Sequence, residues 1–413
     1  MESFAFTTVA SRIHDTSSID RVTEPVRKLF DQLGAAAVPT PEAAGDTPLL
    51  ILVATGGTER AVLGVVETRR HHVPFEPAVL VAHPSHNSLP AAMEASAALT
   101  QRGIPSRILY AGGPDTLDRI AETVTDLTTI HRLHRTRLGA VGDASEWLVA
   151  SSPPAHLVRS RWGVEMVPID VASVVEHHRD TTRPDDGSVA VAFGRSRHDD
   201  LREGAIETAA RVHPALEAAI RDANVDAVTV RCFDLLEDLA TSGCLALAAL
   251  NDAGVVAGCE GDVPAALAML LVRHLLDRPS WIANPAQVDI REDRLVLAHC
   301  TVAPSLVDDQ SLSTHFESGI GVGISGVFAS GPATIIRIGG SRLDRMWCSD
   351  VDIVATGDSP DLCRTQATVQ LVDRHVTELL DAPLGNHMVL ALGHHRKRIE
   401  RWWRFAFGSE PTT

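Results

Sequence analysis

Short, mainly apolar segments alternate with amphipathic segments along the first two thirds of the chain. Residues 49–54 and 78–82 are the first of these apolar segments, and residues 227–231 and 255–259 are later ones. Strands that are apolar on both faces belong to parallel sheets, which helices cover on both sides. The alternation therefore predicts α/β domains with Rossmann-like parallel sheets.

The pattern changes after residue 280. Apolar runs over residues 280–356 are short, rich in β-branched residues and separated by turn residues, which is typical of antiparallel β structure. The polar segment 177–187 (HHRDTTRPDDG) has the composition of a linker between domains. We therefore expect three domains: a Rossmann-like domain over residues 1–180, a second α/β domain over residues 181–300, and a mostly antiparallel β domain over residues 301–413.

Charge and composition exclude several classes of protein. The chain has 413 residues and a net charge of −16, which argues against general affinity for nucleic acid or anionic membranes. No apolar run reaches the roughly 18 residues that a membrane-spanning helix needs, and the first residues do not resemble a signal peptide. The 6 cysteines form no CxxC pair. We expect reduced thiols and a cytoplasmic protein.

Carboxylates follow two of the apolar segments directly. Glu260 and Asp262 come at the end of the segment 255–259, and Asp234 comes shortly after the segment 227–231. Residues two apart on an extended chain point to the same side, about 7 Å from each other. Such acids at strand ends suit a divalent metal ion or an acid–base pair. The alternative is that Asp262 only caps the following helix.

Histidines near strand ends could complete a metal site. His299 (in AHCTVAP), His315 (in THFESG) and His387 (in GNHMVLALG) stand out among the 19 histidines, and Glu317 is two residues from His315. An imidazole beside carboxylates suits Mn²⁺ or another divalent ion of the first transition row.

Two glycine-rich segments raise the question of nucleotide binding. Thr55, Gly56, Gly57 and Glu59 belong to a TGGTE turn that follows the first apolar strand, where backbone N–H groups could bind a ligand or simply form a tight turn. The glycines at 321, 323 and 326 match GxGxxG. They lie among β-type runs without a following helix, so we reject a dinucleotide site at these glycines. An NAD(P)-dependent oxidoreductase, which the Rossmann-like strands alone would allow, stays a third alternative that no glycine fingerprint supports.

A set of segments in order along the chain resembles the L-fucose isomerase-like sugar isomerases, which include the fucose and arabinose isomerases. The segments are LLILVATGGTE, HNSLPAAME, GDASEWLVAS, RCFDLLEDLATSGCLALAALNDAGVVAGCEGD, AHCTVAP, THFESGIGVGISG, GPATIIRI, CRTQ and GNHMVLALG. The resemblance covers residues 49–407. It implies two Rossmann-like domains followed by a mostly antiparallel β domain, assembled as a homo-oligomer, either a trimer or a hexamer.

The resemblance also implies an activity and a metal site. It implies aldose–ketose isomerisation of a free or modified monosaccharide through an enediolate, with a divalent ion, usually Mn²⁺. The metal ligands carried over by position are Asp234, Asp262 and His387, with Glu237 as the alternative to Asp234. Asp234 and Asp262, with Glu260 in reserve, are the expected acid–base residues.

The remaining carried-over residues would contact the sugar. Those expected to do so are Thr55, Gly56, Gly57, Glu59, Asn87, Ser88, His315 and Glu317. The chain is shorter than the well-known fucose and arabinose enzymes, so the identity of their sugars does not transfer. An acidic sugar, uronic or sulfonated, is one possibility, with its anionic group bound by Arg159, Arg161, Arg364 or His394. A carbohydrate sensor without catalysis on the same fold is the alternative function.

Overall fold

A computed structural model describes residues 3–181 and 200–409 of the chain. The contacts divide the chain into two compact units. Among the described residues, the first unit comprises residues 3–132 and 399–409, and the second unit lies within Leu133–Arg398.

A five-stranded parallel sheet forms the centre of the first unit. Its strands are β1 (Ala5–Val9), β2 (Ala36–Ala37), β3 (Leu49–Val53), β4 (Ala78–Ala82) and β5 (Ser106–Tyr110), in the spatial order β2-β1-β3-β4-β5. Every side chain of β3 and β4 is buried, as expected for central strands that are covered on both faces.

Four helices begin in this part of the chain: α1 (Thr16–Gln32), α2 (Glu59–His72), α3 (Ser88–Gln101) and α4 (Thr116–Arg135). The side chain of Asp15 caps α1 by accepting a hydrogen bond from the backbone N–H of Ser18. Helix α3 packs on β3, β4 and β5 with its alanine-rich face, and α2 packs beside it. Small residues on α3 let the helix approach the sheet closely.

The second unit begins with a four-stranded parallel sheet. Its strands are β6 (Arg137–Val141), β7 (Glu165–Ile169), β8 (Ala227–Val230) and β9 (Ala257–Cys259), in the order β7-β6-β8-β9. The helices around it are α5 (Ala155–Trp162), α6 (Val171–Asp180), α7 (Ala205–Ala210), α8 (Val212–Ala223), α9 (Cys232–Leu239), α10 (Cys244–Asp252) and α11 (Val263–Leu276). Helix α11 is buried on almost all sides, which explains its nearly continuous apolar sequence.

A closed antiparallel barrel completes the second unit. It consists of β10 (Trp281–Asp289), β11 (Arg294–His299), β14 (Gly331–Gly339), β15 (Arg345–Thr356), β16 (Thr365–Leu371) and β17 (Met388–Leu392), in the order β10-β11-β16-β15-β14-β17. A separate hairpin pairs β12 (Asp309–Ser313) with β13 (Gly323–Val327). Gly323 and Gly326 lie on β13, in the β context for which the nucleotide motif was rejected. The last helices are α12 (Val376–Asp381) and α13 (Arg396–Phe407).

The predicted fold class is confirmed, because parallel α/β sheets precede an antiparallel β domain. The four-stranded sheet takes β6 and β7 from before residue 180 and β8 and β9 from after it, and the three domain boundaries stay a prediction. Residues 177–180 of the predicted linker are helical as part of α6, and residues 182–187 lie outside the described residues. None of the described helices is long and apolar enough to cross a membrane.

Candidate metal centre

Three buried side chains of the second unit come together at the ends of three strands. Glu260 follows β9 directly, His299 is the last residue of β11, and His387 immediately precedes β17. One carboxylate oxygen and two imidazole nitrogens from these residues all lie within 4.8 Å of one another. Two imidazoles and a carboxylate at this spacing could hold a metal ion.

The backbone turn after β9 determines where the carboxylate of Glu260 points. Glu260 has a φ of 60°, which is uncommon for a residue with a side chain, and Gly261 follows with a φ of 72°. The carbonyl oxygen of Glu260 accepts a hydrogen bond of 2.8 Å from the backbone N–H of Ser145. A strained non-glycine residue inside a tight turn is a common feature of functional sites.

Both histidines are fixed through one ring nitrogen and direct the other towards Glu260. Nδ1 of His299 is 3.0 Å from Oγ1 of Thr301, and Nδ1 of His387 is 3.0 Å from Oδ2 of Asp262. Their Nε2 atoms lie 3.9 Å and 3.5 Å, respectively, from Oε1 of Glu260. Within the described residues, Nε2 of His387 forms no hydrogen bond although it is buried. Histidine ligands of metals are held in this way, through the nitrogen that does not bind the metal.

The second oxygen of Glu260 is bound by a tryptophan. Nε1 of Trp147 donates a hydrogen bond of 2.6 Å to Oε2 of Glu260. This contact leaves Oε1 facing the two histidines. A hydrogen bond thus fixes the orientation of the carboxylate, as hydrogen bonds fix the two imidazole rings.

Asp262 is completely buried and its contacts are with protein groups. Oδ1 accepts a hydrogen bond from the backbone N–H of Ala265 and thereby caps α11, as the alternative interpretation of the sequence expected. Oδ2 accepts from Nη1 of Arg337 over 2.8 Å and lies against His387. Nη2 of Arg337 in turn donates to Oγ of Ser151 over 2.6 Å. Asp262 is therefore placed behind His387, and the group of three possible ligands contains Glu260 instead.

The protonation states follow from burial and from these contacts. Burial raises the pKa of Glu260, but His387, His299 and Trp147 outweigh it and lower this pKa to about 2. Burial and the charge of His387 lower the pKa of His299 to about 3. Burial opposes protonation of His387, but Asp262 and Glu260 raise its pKa to about 9. Glu260 is thus ionised at neutral pH, and His299 has the neutral form that metals bind.

His315 and Glu317 lie near this centre. Nδ1 of His315 is 2.9 Å from Oγ of Ser318, and burial together with the charge of Arg364 lowers the pKa of His315 to about 4. Burial and the charge of Glu260 raise the pKa of Glu317. Both side chains are therefore biased towards their uncharged forms, in which each can donate a hydrogen bond to a hydroxyl group.

Asp234 is placed outside the group of three. It lies in the first turn of α9, and its Oδ1 accepts a hydrogen bond of 2.8 Å from Nε of Arg231. Glu237, the alternative to it, is exposed on the same helix. The predicted roles of Asp234 and Asp262 as metal ligands stay predictions.

The other expected sugar contacts belong to the first unit, at the carboxyl ends of β3 and β4. The residues concerned are Thr55, Gly56, Gly57, Glu59, Asn87 and Ser88. The N–H of Gly56 donates to the carbonyl of His86 over 2.7 Å, and Oγ of Ser88 donates to the carbonyl of Val53 over 2.5 Å. Asn87 has a left-handed backbone with a φ of 54°. These contacts bring the two predicted segments together, and their role in sugar binding stays a prediction.

Four basic residues are candidates for binding the anionic group of a sugar. Arg159 donates to the carbonyl of Gly163, and His394 is 3.1 Å from Asp352. Nε of Arg364 donates to the carbonyl of Thr314 over 2.8 Å. Of these four residues, Arg364 is the one that lies near the candidate metal centre, since burial, together with the charge of Arg364, lowers the pKa of His315. Arg161 is half-buried on α5, where burial lowers the pKa of its guanidinium group and the charge of Asp344 partly offsets this effect.

The sequence did not reveal the part that three residues play in the candidate metal centre. His299 was noted at the end of its strand but was not assigned as a ligand, although its position resembles that of His387. Trp147 occurs in a recognised segment without a role, and Arg337 lies in the middle of β14, where nothing in the sequence marks it as a partner of Asp262.

Comparisons with known proteins give distant relatives. No protein-family model matches the chain. Sulfoquinovose isomerases of Priestia aryabhattai and Priestia megaterium are each 23% identical to it over 328 residues, covering 74% of this chain and 71% of the relative. The sulfoquinovose isomerase of Alkalicoccus urumqiensis is 21% identical over 223 residues, covering 52% of this chain and 49% of the relative. These names support the prediction of a sugar isomerase enzyme, and the narrower L-fucose isomerase-like assignment stays a prediction.

Proposed function

We propose that this protein is a metal-dependent aldose–ketose isomerase whose metal ligands are Glu260, His299 and His387. One observation carries the proposal: two buried imidazoles, each fixed through Nδ1, direct Nε2 to the same carboxylate oxygen. Nε2 of His387 supports this assignment. It is buried, forms no hydrogen bond within the described residues and lies 3.5 Å from Oε1 of Glu260, so an ion between the two atoms would give it a partner.

The set of donors fits a divalent ion of the first transition row, and Mn²⁺ is our first choice. Such an ion, when bound, would polarise the carbonyl and hydroxyl oxygens of the sugar and so acidify the proton at C2. Glu260 supplies the negative charge at the site and His299 supplies a neutral imidazole. His387, which Asp262 and Glu260 keep protonated in the metal-free protein, would have to release this proton for its Nε2 to bind the ion.

Isomerisation through an enediolate also requires a group that moves a proton between C2 and C1. Asp234 remains our proposal for this step. It follows β8, the neighbour of β9 in the parallel sheet, and its side chain is partly exposed and is not fixed among buried groups. Asp262 is less suited to contact the sugar because its side chain is buried behind His387 and paired with Arg337. His315 and Glu317 would orient the hydroxyl groups of the substrate.

The substrate that we propose is a sulfonated aldose, with sulfoquinovose as the first compound to test. The names of the relatives support it, and so does Arg364, which brings a positive charge close to His315. A guanidinium group binds planar or tetrahedral oxyanions through several N–H donors.

The direct test is incorporation of deuterium at C2 in D₂O, followed by NMR. Sulfoquinovose, glucose and glucuronate would each be incubated with the protein, with Mn²⁺ or with a chelator. We expect metal-dependent uptake of deuterium and formation of a ketose from sulfoquinovose. No exchange with any of the three sugars would overturn the proposal, and sugar binding without exchange would favour the non-catalytic sensor.

Two variants connect the activity to the site. Glu260→Gln keeps the size of the side chain but loses its charge, and we expect it to abolish Mn²⁺ binding and turnover. Glu146→Gln is the matched control, because the Glu146 side chain is 86% exposed in the same region. Unchanged Mn²⁺ affinity in Glu260→Gln would refute the assignment of the ligands.

A further inference from the structure

Trp147 differs from the other tryptophans of the chain in its exposure. It lies in the loop after β6 and has an exposed fraction of 52%. The five other tryptophans have exposed fractions of at most 2%. An indole that stays half in water beside a buried polar centre indicates a surface that a ligand covers.

The indole ring is attached to the candidate metal centre through its edge. Nε1 of Trp147 donates to Oε2 of Glu260 over 2.6 Å. Because this N–H bond lies in the plane of the indole, the hydrogen bond does not use the ring faces. This hydrogen bond therefore leaves the faces of the indole available to a molecule that binds beside Glu260.

A second aromatic contact extends this surface. Phe233 meets Trp147 almost at a right angle, with their ring centroids 4.9 Å apart, and the ring of His315 is 5.9 Å from that of Phe233. Edge-to-face packing of this kind holds aromatic rings in a defined orientation. The three rings form a row that leads from Glu260 to His315, which we have placed among the sugar contacts.

We propose that Trp147 is the wall on which the sugar stacks its C–H groups and that its N–H group positions Glu260 for the metal. The proposal rests on the isomerase function above and adds a binding surface to it. The face of an indole carries partial negative charge and the C–H groups of a sugar carry partial positive charge, so the two attract each other. The hydroxyl groups on the other side of the sugar remain free for polar partners.

Two substitutions separate these two roles. Trp147→Phe keeps an aromatic face but has no N–H group, whereas Trp147→Ala removes both. We expect both variants to lose Mn²⁺ affinity by about 10- to 100-fold, the usual effect of removing a hydrogen bond that orients a ligand. At saturating Mn²⁺ we expect Trp147→Phe to keep KM for sulfoquinovose within about 3-fold, and Trp147→Ala to raise it by about 10-fold or more.

Fluorescence gives a readout that a purely structural role would not change. Because the other tryptophans are buried, a change in tryptophan emission on adding sulfoquinovose to the Mn²⁺-loaded protein should come from Trp147 and disappear in Trp147→Phe. Val149→Ala is the control: Val149 lies two residues away with an exposed fraction of 91%, and this variant should behave like the original protein. Metal-free melting temperatures would verify that all variants fold.

The outcomes distinguish this proposal from the function on which it rests. If the unaltered protein isomerises the sugar and Trp147→Ala has unchanged KM at saturating Mn²⁺, the stacking wall is refuted and the isomerase stands. Unchanged Mn²⁺ affinity in Trp147→Phe would refute the positioning of Glu260. If the unaltered protein neither binds nor converts any sugar of the panel, the isomerase proposal fails and this one fails with it.

Discussion

Nδ1 of His387 lies 3.0 Å from Oδ2 of Asp262, and neither side chain has any exposed surface. The same carboxylate oxygen accepts a hydrogen bond from Arg337, so one buried anion serves a histidine and an arginine. The guanidinium balances the negative charge of Asp262, and the carboxylate sets the orientation of the imidazole. The ring can then present Nε2 to Glu260 without rotating.

We expect Asp262→Asn to weaken metal binding without abolishing it. The amide can still contact His387 but leaves the charge of Arg337 buried and unpaired. Loss of one partner of a buried ion pair destabilises a protein by about 3–5 kcal/mol, and loss of an orienting contact lowers metal affinity by about 10- to 100-fold. Urea unfolding of the metal-free protein and calorimetric titration with Mn²⁺ would measure the two effects.

Asp352→Asn provides the matched control for this variant. Asp352 also contacts a histidine, His394, but the two side chains have exposed fractions of 49% and 40%, so we expect little change in stability. Complete loss of Mn²⁺ binding in Asp262→Asn, equal to that in Glu260→Gln, would mean that Asp262 is itself a ligand, as the sequence predicted.

A separate prediction concerns Asp234, which lies outside the group of three possible ligands and accepts a hydrogen bond from Arg231. If Asp234 transfers the proton, Asp234→Asn should lower kcat by about 100-fold or more and leave Mn²⁺ affinity within about 3-fold. Glu237→Gln, on the exposed side of the same helix, should keep both values. A parallel loss of Mn²⁺ affinity and kcat in Asp234→Asn would instead identify it as a metal ligand.

The fold class could be predicted because the most buried strands of the parallel sheets have continuously apolar sequences. β3 and β4 are apolar throughout, and the shift to alternating β-type runs marks the start of the barrel. His387 and Glu260 could be singled out for a similar reason, since both lie next to apolar strands. That these two side chains lie close together could not be derived from the sequence, because their distance depends on how the barrel packs against the parallel sheet.

The side chains of Glu260 and Asp262 point in directions that the sequence did not predict. We expected both carboxylates on one side of an extended chain. Glu260 and Gly261 both have positive φ, so the alternation of an extended chain is broken between them. Glu260 consequently faces the two histidines, while Asp262 begins α11 and caps it. Two consecutive residues in the left-handed region, which the sequence did not reveal, turn the two side chains in different directions.

The turn after β9 gives a prediction about Gly261. A Cβ atom at this position would lie 2.6 Å from Cα of Ala144 and 2.8 Å from the carbonyl oxygen of Asp143, and its φ of 72° already disfavours a side chain. We expect Gly261→Ala to destabilise the protein by about 2–4 kcal/mol and to lower Mn²⁺ affinity by displacing Glu260.

Gly319→Ala is the control for this substitution. Its φ of 64° is similar, but a Cβ atom there would meet none of the described residues within 4 Å. We therefore expect Gly319→Ala to lose only the stability that a side chain at a left-handed backbone position costs, about 1 kcal/mol. Equal melting temperatures for the two variants would show that the close contact with Ala144 has no energetic effect.

The last prediction concerns acid stability and the buried His83 of the first unit. Nε2 of His83 donates to the carbonyl of Ala54 over 2.9 Å, and burial lowers the pKa of this histidine below its usual 6.5. The unfolded chain therefore binds more protons than the folded chain as the pH falls through 6.5, so stability is lost in that direction. We expect the urea midpoint of the protein to fall between pH 7.5 and pH 5.5, and His83→Gln, which cannot be protonated, to show a smaller fall. His71→Gln, on the exposed end of α2, should retain the full fall. An equal fall in His83→Gln would place the acid-sensitive group elsewhere in the chain.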